Sequence, residues 1–134
     1  MFAYKKINSE MIEEIKNLYK KELWGAYLKD DEKLVRAMNG SIYILGAFHG
    51  NRLVGMVRCV GDGEHIVLVQ DLIIDPEYQR QGIGRTLLNE AMKRYSEVRT
   101  FMLLTDKDDE KANSFYQSLN LKRIEEMNMI SYIR

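Results

Sequence analysis

One loop carries the residues whose types and spacing best suit chemistry in this sequence. Residues 79–88 read Gln-Arg-Gln-Gly-Ile-Gly-Arg-Thr-Leu-Leu, with two closely spaced glycines between two arginines. The first turn of a helix leaves about four N–H groups without intrahelical partners, and its dipole adds about half a positive charge. Glycines let a phosphate approach those N–H groups, and arginine binds phosphate in a forked geometry. The pattern predicts a diphosphate site, with an ordinary glycine turn before a helix as the alternative.

Two other phosphate-binding patterns do not fit this loop. The Gly-Lys-Ser/Thr ending of a P-loop is absent from the sequence. The dinucleotide-binding fingerprint needs a third glycine, but Leu87 stands three residues after Gly84. The segment before the loop also lacks the βαβ organisation of that fold, so neither class is predicted.

Two motifs taken together resemble the GNAT superfamily of N-acetyltransferases. The run from Gln79 to Gly84 matches the family signature Arg/Gln-x-x-Gly-x-Gly/Ala, and residues 71–78 are similar to the stretch that precedes it. Downstream, Asn113-Ser-Phe-Tyr116 is similar to the motif with Asn and Phe-Tyr on the family's next helix. The spacing between the motifs fits a helix, a strand and a helix.

The resemblance implies acetyl-CoA as the donor and gives roles to residues of both motifs. In the family, the strand before the loop splays from its neighbour at a bulge and pairs with the pantetheine arm. The loop then holds the pyrophosphate, and Tyr116 would protonate the leaving thiolate, unless it is only a core aromatic. The cofactor-binding residues implied in this way are Leu72, Ile73, Ile74, Gln79, Arg80, Gln81, Gly82, Ile83, Gly84, Arg85, Thr86, Asn113 and Tyr116.

The general base is less well defined by the sequence. Many family members use an acidic residue on the strand before the loop, and Asp71 is the first candidate because it stands in an apolar run. A strand-end or bulge aspartate bonded to backbone is the alternative. The other candidates are Glu64, His65 and Asp75. Some histone-directed members carry a glutamate farther up this strand; residues 67–69 here are Val-Leu-Val, which argues against those substrates.

The acceptor is expected to bind near the segment that joins the first two helices. Trp24 and Tyr27 would form an aromatic wall there, or they only cover the core where the helices meet. The resemblance implies direct transfer of the acetyl group to a primary amine of a small molecule or a protein. Two alternatives stay open: an acyl-CoA sensor of the same fold without turnover, and an interaction domain without a cofactor.

The elements that must position these residues follow from hydrophobic periodicity. Apolar residues at helical spacing predict helices at 10–23, 31–38, 85–95 and 109–119. Apolar runs predict a first strand near residue 4, then strands at 41–48, 53–60, 65–75 and 99–105, and one or two closing strands within 121–124 and 127–133. The order βααβββ-αβαβ predicts an α+β fold with a mixed, mostly antiparallel sheet and helices on both faces.

Composition limits the class of protein. The 134 residues suit a single domain over 1–134. Twenty basic and twenty acidic residues cancel, which argues against nucleic-acid or membrane-surface binding. One cysteine and two histidines predict neither a disulfide framework nor a metal site. The N-terminus does not read as a signal peptide, so a cytoplasmic protein is expected, and a homodimer stays open.

Overall fold

The computed structural model describes residues 1–22 and 24–134, which form two compact units, Met1–Leu103 and Leu104–Arg134. The first unit contains β1 (Phe2–Lys6), α1 (Ile12–Lys21), α2 (Asp31–Asn39), β2 (Tyr43–His49), β3 (Arg52–Gly61), β4 (Ile66–Ile74), α3 (Ile83–Arg94) and β5 (Thr100–Leu103). The second unit contains α4 (Glu110–Ser118). The predicted order of elements is confirmed as far as α4. Leu23, the predicted end of the first helix, lies outside the described residues.

The five strands form one open sheet in the order β1-β2-β3-β4-β5. Each strand from β1 to β4 runs antiparallel to the next, and β5 runs parallel to β4. The helix α3 supplies the crossover that a parallel pair requires. The prediction of a mixed, mostly antiparallel sheet is therefore confirmed.

Helices pack on both faces of this sheet. Successive residues of a strand point to opposite sides, so each strand contributes side chains to both faces. Met56 of β3 belongs to a buried apolar cluster with Tyr19 of α1 and Leu34 of α2. Its neighbour Gly55 faces α3 instead, and a Cβ atom there would lie 3.3 Å from Ile83 Cγ2. The glycine therefore permits the close approach of α3, which carries the predicted diphosphate loop at its start.

The strand β4 has two irregularities that shape the site. Arg58 of β3 pairs with Asp71, but the next residue, Cys59, pairs with Val69, so Gln70 is an extra residue in β4. This is a β-bulge, which bends a strand and redirects its side chains. Pairing with β5 covers only Ile66–Val69 of β4. Beyond the bulge, β4 therefore has an edge with no ladder partner among the described residues.

The C-terminal tail differs from its prediction. Residues 121–134 contain no strand in the described structure, so the prediction of closing strands is wrong. Ile124–Met127 forms a 3-10 turn instead, and the Arg123 N–H donates to the Glu126 carboxylate at 2.9 Å. Asn128 follows with a left-handed φ of 57°. That conformation interrupts the extended backbone that the apolar residues of the tail would otherwise favour.

The helices of the described chain are all too short or too polar to cross a lipid bilayer. The cytoplasmic location expected from the sequence stays a prediction.

Candidate active site

The start of α3 presents backbone N–H groups. The helix begins at Ile83 rather than at the predicted residue 85, and Gly82 stands at its cap with no side chain to occupy the helix start. The N–H and the hydroxyl of Thr86 both donate to the Gly82 carbonyl at 3.0 Å. The amides of Ile83 and Gly84 precede this first helical bond, at the positive end of a 12-residue helix. The geometry suits an anion.

Gly82 is required by its backbone conformation. Its φ is +82°, and a Cβ atom would meet no described heavy atom within 4 Å. Left-handed backbone costs other residues about 1–2 kcal/mol, so conformation rather than space selects glycine here. Arg80 also has a left-handed φ of 65°, and its side chain is exposed. The loop therefore has two left-handed residues shortly before the helix start, one of them an exposed arginine.

Gln79 joins this loop to the end of β4. Its Nε2 donates to the Ile74 carbonyl at 3.2 Å and to Glu22 Oε1 at 3.1 Å. Glu22 stands at the C-cap of α1. The sequence placed Gln79 only among the cofactor-binding residues. In the structure, its side chain holds the loop against both the strand end and α1.

Asp75 fixes the other side of the loop. Its buried carboxylate accepts from Lys21 Nζ at 2.6 Å and from Arg52 at 3.1 Å, and its Oδ1 accepts from the Glu77 N–H at 3.0 Å. Burial alone would raise the pKa of Asp75, but the bonds from Lys21 and from the Glu77 amide lower it below its usual value. This base candidate is therefore held as a paired anion that caps the 3-10 turn Pro76–Tyr78.

The open edge of β4 presents main-chain groups beyond the bulge. The Asp75 N–H donates to the Val54 carbonyl at 2.8 Å, so the backbone of Asp75 and, two residues earlier, of Ile73 faces β3. The main-chain groups of Leu72 and Ile74 alternate with these and face the opposite edge, where β5 no longer pairs with β4. An extended ligand can pair with these two residues. Ile73 would then contribute its buried side chain to the core and no hydrogen bond to the ligand.

Asp71 lies at the centre of a buried network at the bulge. Its side chain has no exposed surface, and its Oδ2 accepts from Arg58 Nε at 2.6 Å and from the Tyr19 hydroxyl at 2.8 Å. Its Oδ1 has no hydrogen-bond partner among the described residues. Burial disfavours the charged guanidinium, but Asp71 outweighs it and raises the pKa of Arg58. Burial, together with Asp71, also raises the pKa of Tyr19. The catalytic role of Asp71 stays a prediction.

Trp24 and Tyr27 both stack on Tyr19. The ring centroids lie 5.9 Å and 4.6 Å from that of Tyr19, and both side chains are half-buried against the core. The Tyr27 hydroxyl also accepts from Gln70 Nε2 at 3.2 Å. Both rings therefore pack against the core, which fits either of the two roles considered for them. Their role in acceptor binding stays a prediction.

The other two base candidates lie far from the bulge. Glu64 and His65 are exposed in the turn between β3 and β4, and their N–H groups donate to Asp62 Oδ1 at 2.8 Å. Gln70 lies five positions after His65, which is about 16 Å along a strand. Neither side chain takes part in the hydrogen bonds that Asp71 makes with Arg58 and Tyr19.

The second motif lies in the second unit, on α4. Asn113 Nδ2 donates to the carbonyls of Asp106 at 3.0 Å and Asp109 at 2.7 Å, which ties the helix to the loop before it. Burial, and to a lesser degree the charge of Asp109, raises the pKa of Tyr116. The phenol is therefore protonated at neutral pH and can act as a proton donor. The roles predicted for both residues stay predictions.

Three residues of the site were not identified from the sequence: Tyr19, Arg58 and Gln70. Arg58 and Asp71 did leave a signal, because each is a charged residue inside an apolar run and the two runs are consecutive strands. A buried charge requires an opposite partner, so their pairing across a hairpin could have been predicted. Nothing in the sequence marks Gln70 as the bulge residue.

Comparison with known proteins identifies the family. The family described as "Acetyltransferase (GNAT) family" matches residues 9–120, which is most of the chain. The protein therefore belongs to the GNAT acetyltransferases, and the resemblance noted in its two motifs is confirmed.

Individual relatives agree with this assignment. Histone acetyltransferase TAP1 of Glycine max is 29% identical over 102 residues, which are 67% of this chain and 43% of that protein. The chain thus spans less than half the length of this relative. A GNAT family acetyltransferase from Streptococcus pneumoniae TIGR4 is 33% identical, with a TM-score of 0.83 and coverage of 100% of this chain and 97% of that one. The PaiA N-acetyltransferase of Thermoplasma acidophilum, solved with coenzyme A, shares the fold at 21% identity, with a TM-score of 0.75 and coverage of 89% and 88%.

Proposed function

We propose that the protein is an acetyl-CoA-dependent N-acetyltransferase that transfers the acetyl group directly to a primary amine, of a small molecule or of a protein. The observation that carries this proposal is the open edge of β4 at Leu72 and Ile74, which leads through one short loop to the amides at the start of α3. Membership of the GNAT family and the coenzyme A bound to PaiA support it.

Main-chain groups bind most of the donor. Leu72 and Ile74 pair with the amide groups of the pantetheine arm, as an added strand would. The amides of Gly82, Ile83 and Gly84 hold the diphosphate, because they lie at the positive end of a helix dipole. The guanidinium groups of Arg80 and Arg85 add positive charge to this site.

The remaining groups serve the transfer of the acetyl group. Acetyl-CoA supplies an activated thioester carbonyl when it is bound. Main-chain N–H groups at the β4 bulge polarise that carbonyl. The amine nitrogen then forms its bond to the carbonyl carbon as the carbon–sulfur bond breaks. Tyr116 gives a proton to the sulfur, and a base takes one from the nitrogen. Asp71 is the base that the sequence favours, but its enclosure by Arg58 and Tyr19 supports a role in positioning.

We also propose that all 134 residues act as one acetyltransferase domain. The family match runs through residues 9–120 and so includes parts of both compact units. Both motifs lie within that match, so neither unit carries the family's features alone.

The test of this function separates binding from turnover. The purified chain is incubated with acetyl-CoA and a panel of small amines and lysine peptides, and free thiol is measured. Coenzyme A at 100 times its Kd should stabilise the fold by about 2.7 kcal/mol in thermal unfolding. Stabilisation without thiol release on any acceptor would favour the acyl-CoA sensor. Failure of coenzyme A to stabilise the chain would contradict both functions.

A single substitution tests the proton donor. Tyr116→Phe removes the hydroxyl and keeps the ring, so turnover should fall about 10²–10⁴-fold with the affinity for coenzyme A unchanged. Tyr132→Phe is the matched control, because Tyr132 is an exposed tyrosine in the same unit. Equal turnover in the two variants would exclude Tyr116 as the acid.

A further inference from the structure

The β4 bulge makes two adjacent side chains reach the same target. In a regular strand, Gln70 and Asp71 would point to opposite faces of the sheet. The extra residue at Gln70 changes this alternation. Asp71 accepts from the hydroxyl of Tyr19, and Gln70 donates to the hydroxyl of Tyr27. Both residues thus hold one pair of aromatic rings.

The two rings are in direct contact with each other. The Tyr19 and Tyr27 rings stack with centroids 4.6 Å apart and an interplanar angle of 12°. Gln70 contacts Tyr27, Tyr27 stacks on Tyr19, and Tyr19 contacts Asp71. Because Gln70 and Asp71 are neighbours in β4, the four residues form a closed circuit. Arg58 anchors it by its bond to Asp71 Oδ2 at 2.6 Å. The four side chains are therefore joined by consecutive contacts.

We propose that Gln70 and Asp71 are a positioning pair that holds the 24–28 segment against the bulge and so places the amine acceptor. On this view Asp71 anchors Tyr19 and is not the proton acceptor of the reaction. The kinetic part of this inference rests on the proposed function, because it requires turnover with an amine.

The two bonds of the pair differ in their surroundings. The bond between Asp71 and Tyr19 is buried, and burial with the nearby carboxylate keeps the Tyr19 hydroxyl protonated as a donor. The bond between Gln70 and Tyr27 is exposed, where water competes with it. The exposed bond is therefore the adjustable one, and it governs how the 24–28 segment meets an acceptor.

The exposed bond is tested by removing each partner in turn. Tyr27→Phe and Gln70→Leu delete the same hydrogen bond, so each should raise KM for the amine about fivefold, with kcat and the Kd for coenzyme A unchanged. The double variant should match the single ones. The proposal would be overturned if the two effects on KM multiplied in the double variant, or if the Kd for coenzyme A changed. Tyr132→Phe is the control.

The buried bond is tested by pH profiles. Tyr19→Phe and Asp71→Asn should both lower kcat/KM while the acid limb of the profile keeps its position. Loss of that limb in Asp71→Asn would identify Asp71 as the base and overturn the proposal. Asp71→Asn leaves Arg58 without its partner, so where this variant does not fold, Tyr19→Phe decides the matter. Unchanged kcat/KM in Tyr19→Phe would equally overturn it.

A measurement without turnover separates this inference from the proposed function. Amide hydrogen exchange of residues 24–28 should accelerate about fivefold in Tyr27→Phe and in Gln70→Leu, but not in Tyr132→Phe. This expectation holds even if no acceptor amine is found. Unchanged exchange in both variants would overturn the positioning pair, whatever the activity of the protein.

Discussion

The two ends of the open β4 edge are built in different ways. At the end near α3, the groups proposed to bind the ligand are main-chain amides, and side chains such as Gln79 and Asp75 support the loop. At the bulge, Asp71, Arg58 and Tyr19 form a buried network of side chains. Main-chain recognition survives most substitutions that keep the backbone conformation. A buried charged network depends on every member, because a charge that loses its partner pays its full desolvation cost.

Arg58→Met should cause the largest loss of stability, because it leaves Asp71 as an unpaired buried charge. We expect the free energy of unfolding to fall by about 3–5 kcal/mol in urea denaturation. Arg99→Met, at an exposed arginine, is the control. Adding Asp71→Leu to Arg58→Met should recover most of the loss, since an apolar pair is close to neutral there. A loss under about 1 kcal/mol would contradict the prediction, because a solvent-exposed ion pair contributes that little.

Gly82→Ala tests the conformation at the loop end. The left-handed φ of +82° should reduce the free energy of unfolding by about 1–2 kcal/mol, and the strained helix start should also bind coenzyme A more weakly. Gly25→Ala is the control, because a Cβ there meets no described atom within 4 Å and the φ is not left-handed. Equal stability of both variants would show that conformation does not select Gly82.

Asp75→Asn tests the support of the loop by ion pairs. Lys21 and Arg52 are partly exposed, so the loss at pH 7 should be about 1 kcal/mol. The pKa of Asp75 is lowered in the folded state, so its stabilisation is present above the unfolded pKa of about 4 and is lost as the pH falls through the folded value. Urea unfolding at pH 7, 5 and 3 should show the difference from the wild type shrinking at pH 3. Asp108→Asn is the control, and a difference independent of pH would contradict the prediction.

Arg80→Gln should have the smallest effect on stability. The side chain is exposed, so the free energy of unfolding should change by no more than about 0.5 kcal/mol. Calorimetry should still detect weaker binding of coenzyme A, most clearly at low ionic strength, because salt screens exposed charges. The same substitution at exposed Lys111 serves for comparison. Binding that is unaffected at low salt would exclude Arg80 from the proposed diphosphate site.

Most of the elements could be predicted because their signals are local. The helix α3 began two residues before its predicted start, since Gly82 provides a left-handed cap that hydrophobic periodicity does not report. The tail was predicted as strand from its apolar residues, but the turn at Ile124–Met127 and the left-handed Asn128 prevented it. Extended structure depends on a partner strand as well as on composition, and the sequence gives no measure of that partner.

The sequence by itself determined the glycine-bearing loop before α3, the order of elements through α4 and the family. These features depend on residues within a few positions of one another, so glycine spacing and helical periodicity are enough to define them. Only the tertiary structure decided where β4 bulges and what Asp71 contacts. Tyr19 lies 52 positions from Asp71, and Arg58 lies 13 positions from it. Contacts over such separations arise from strand register and helix packing, which no local pattern fixes.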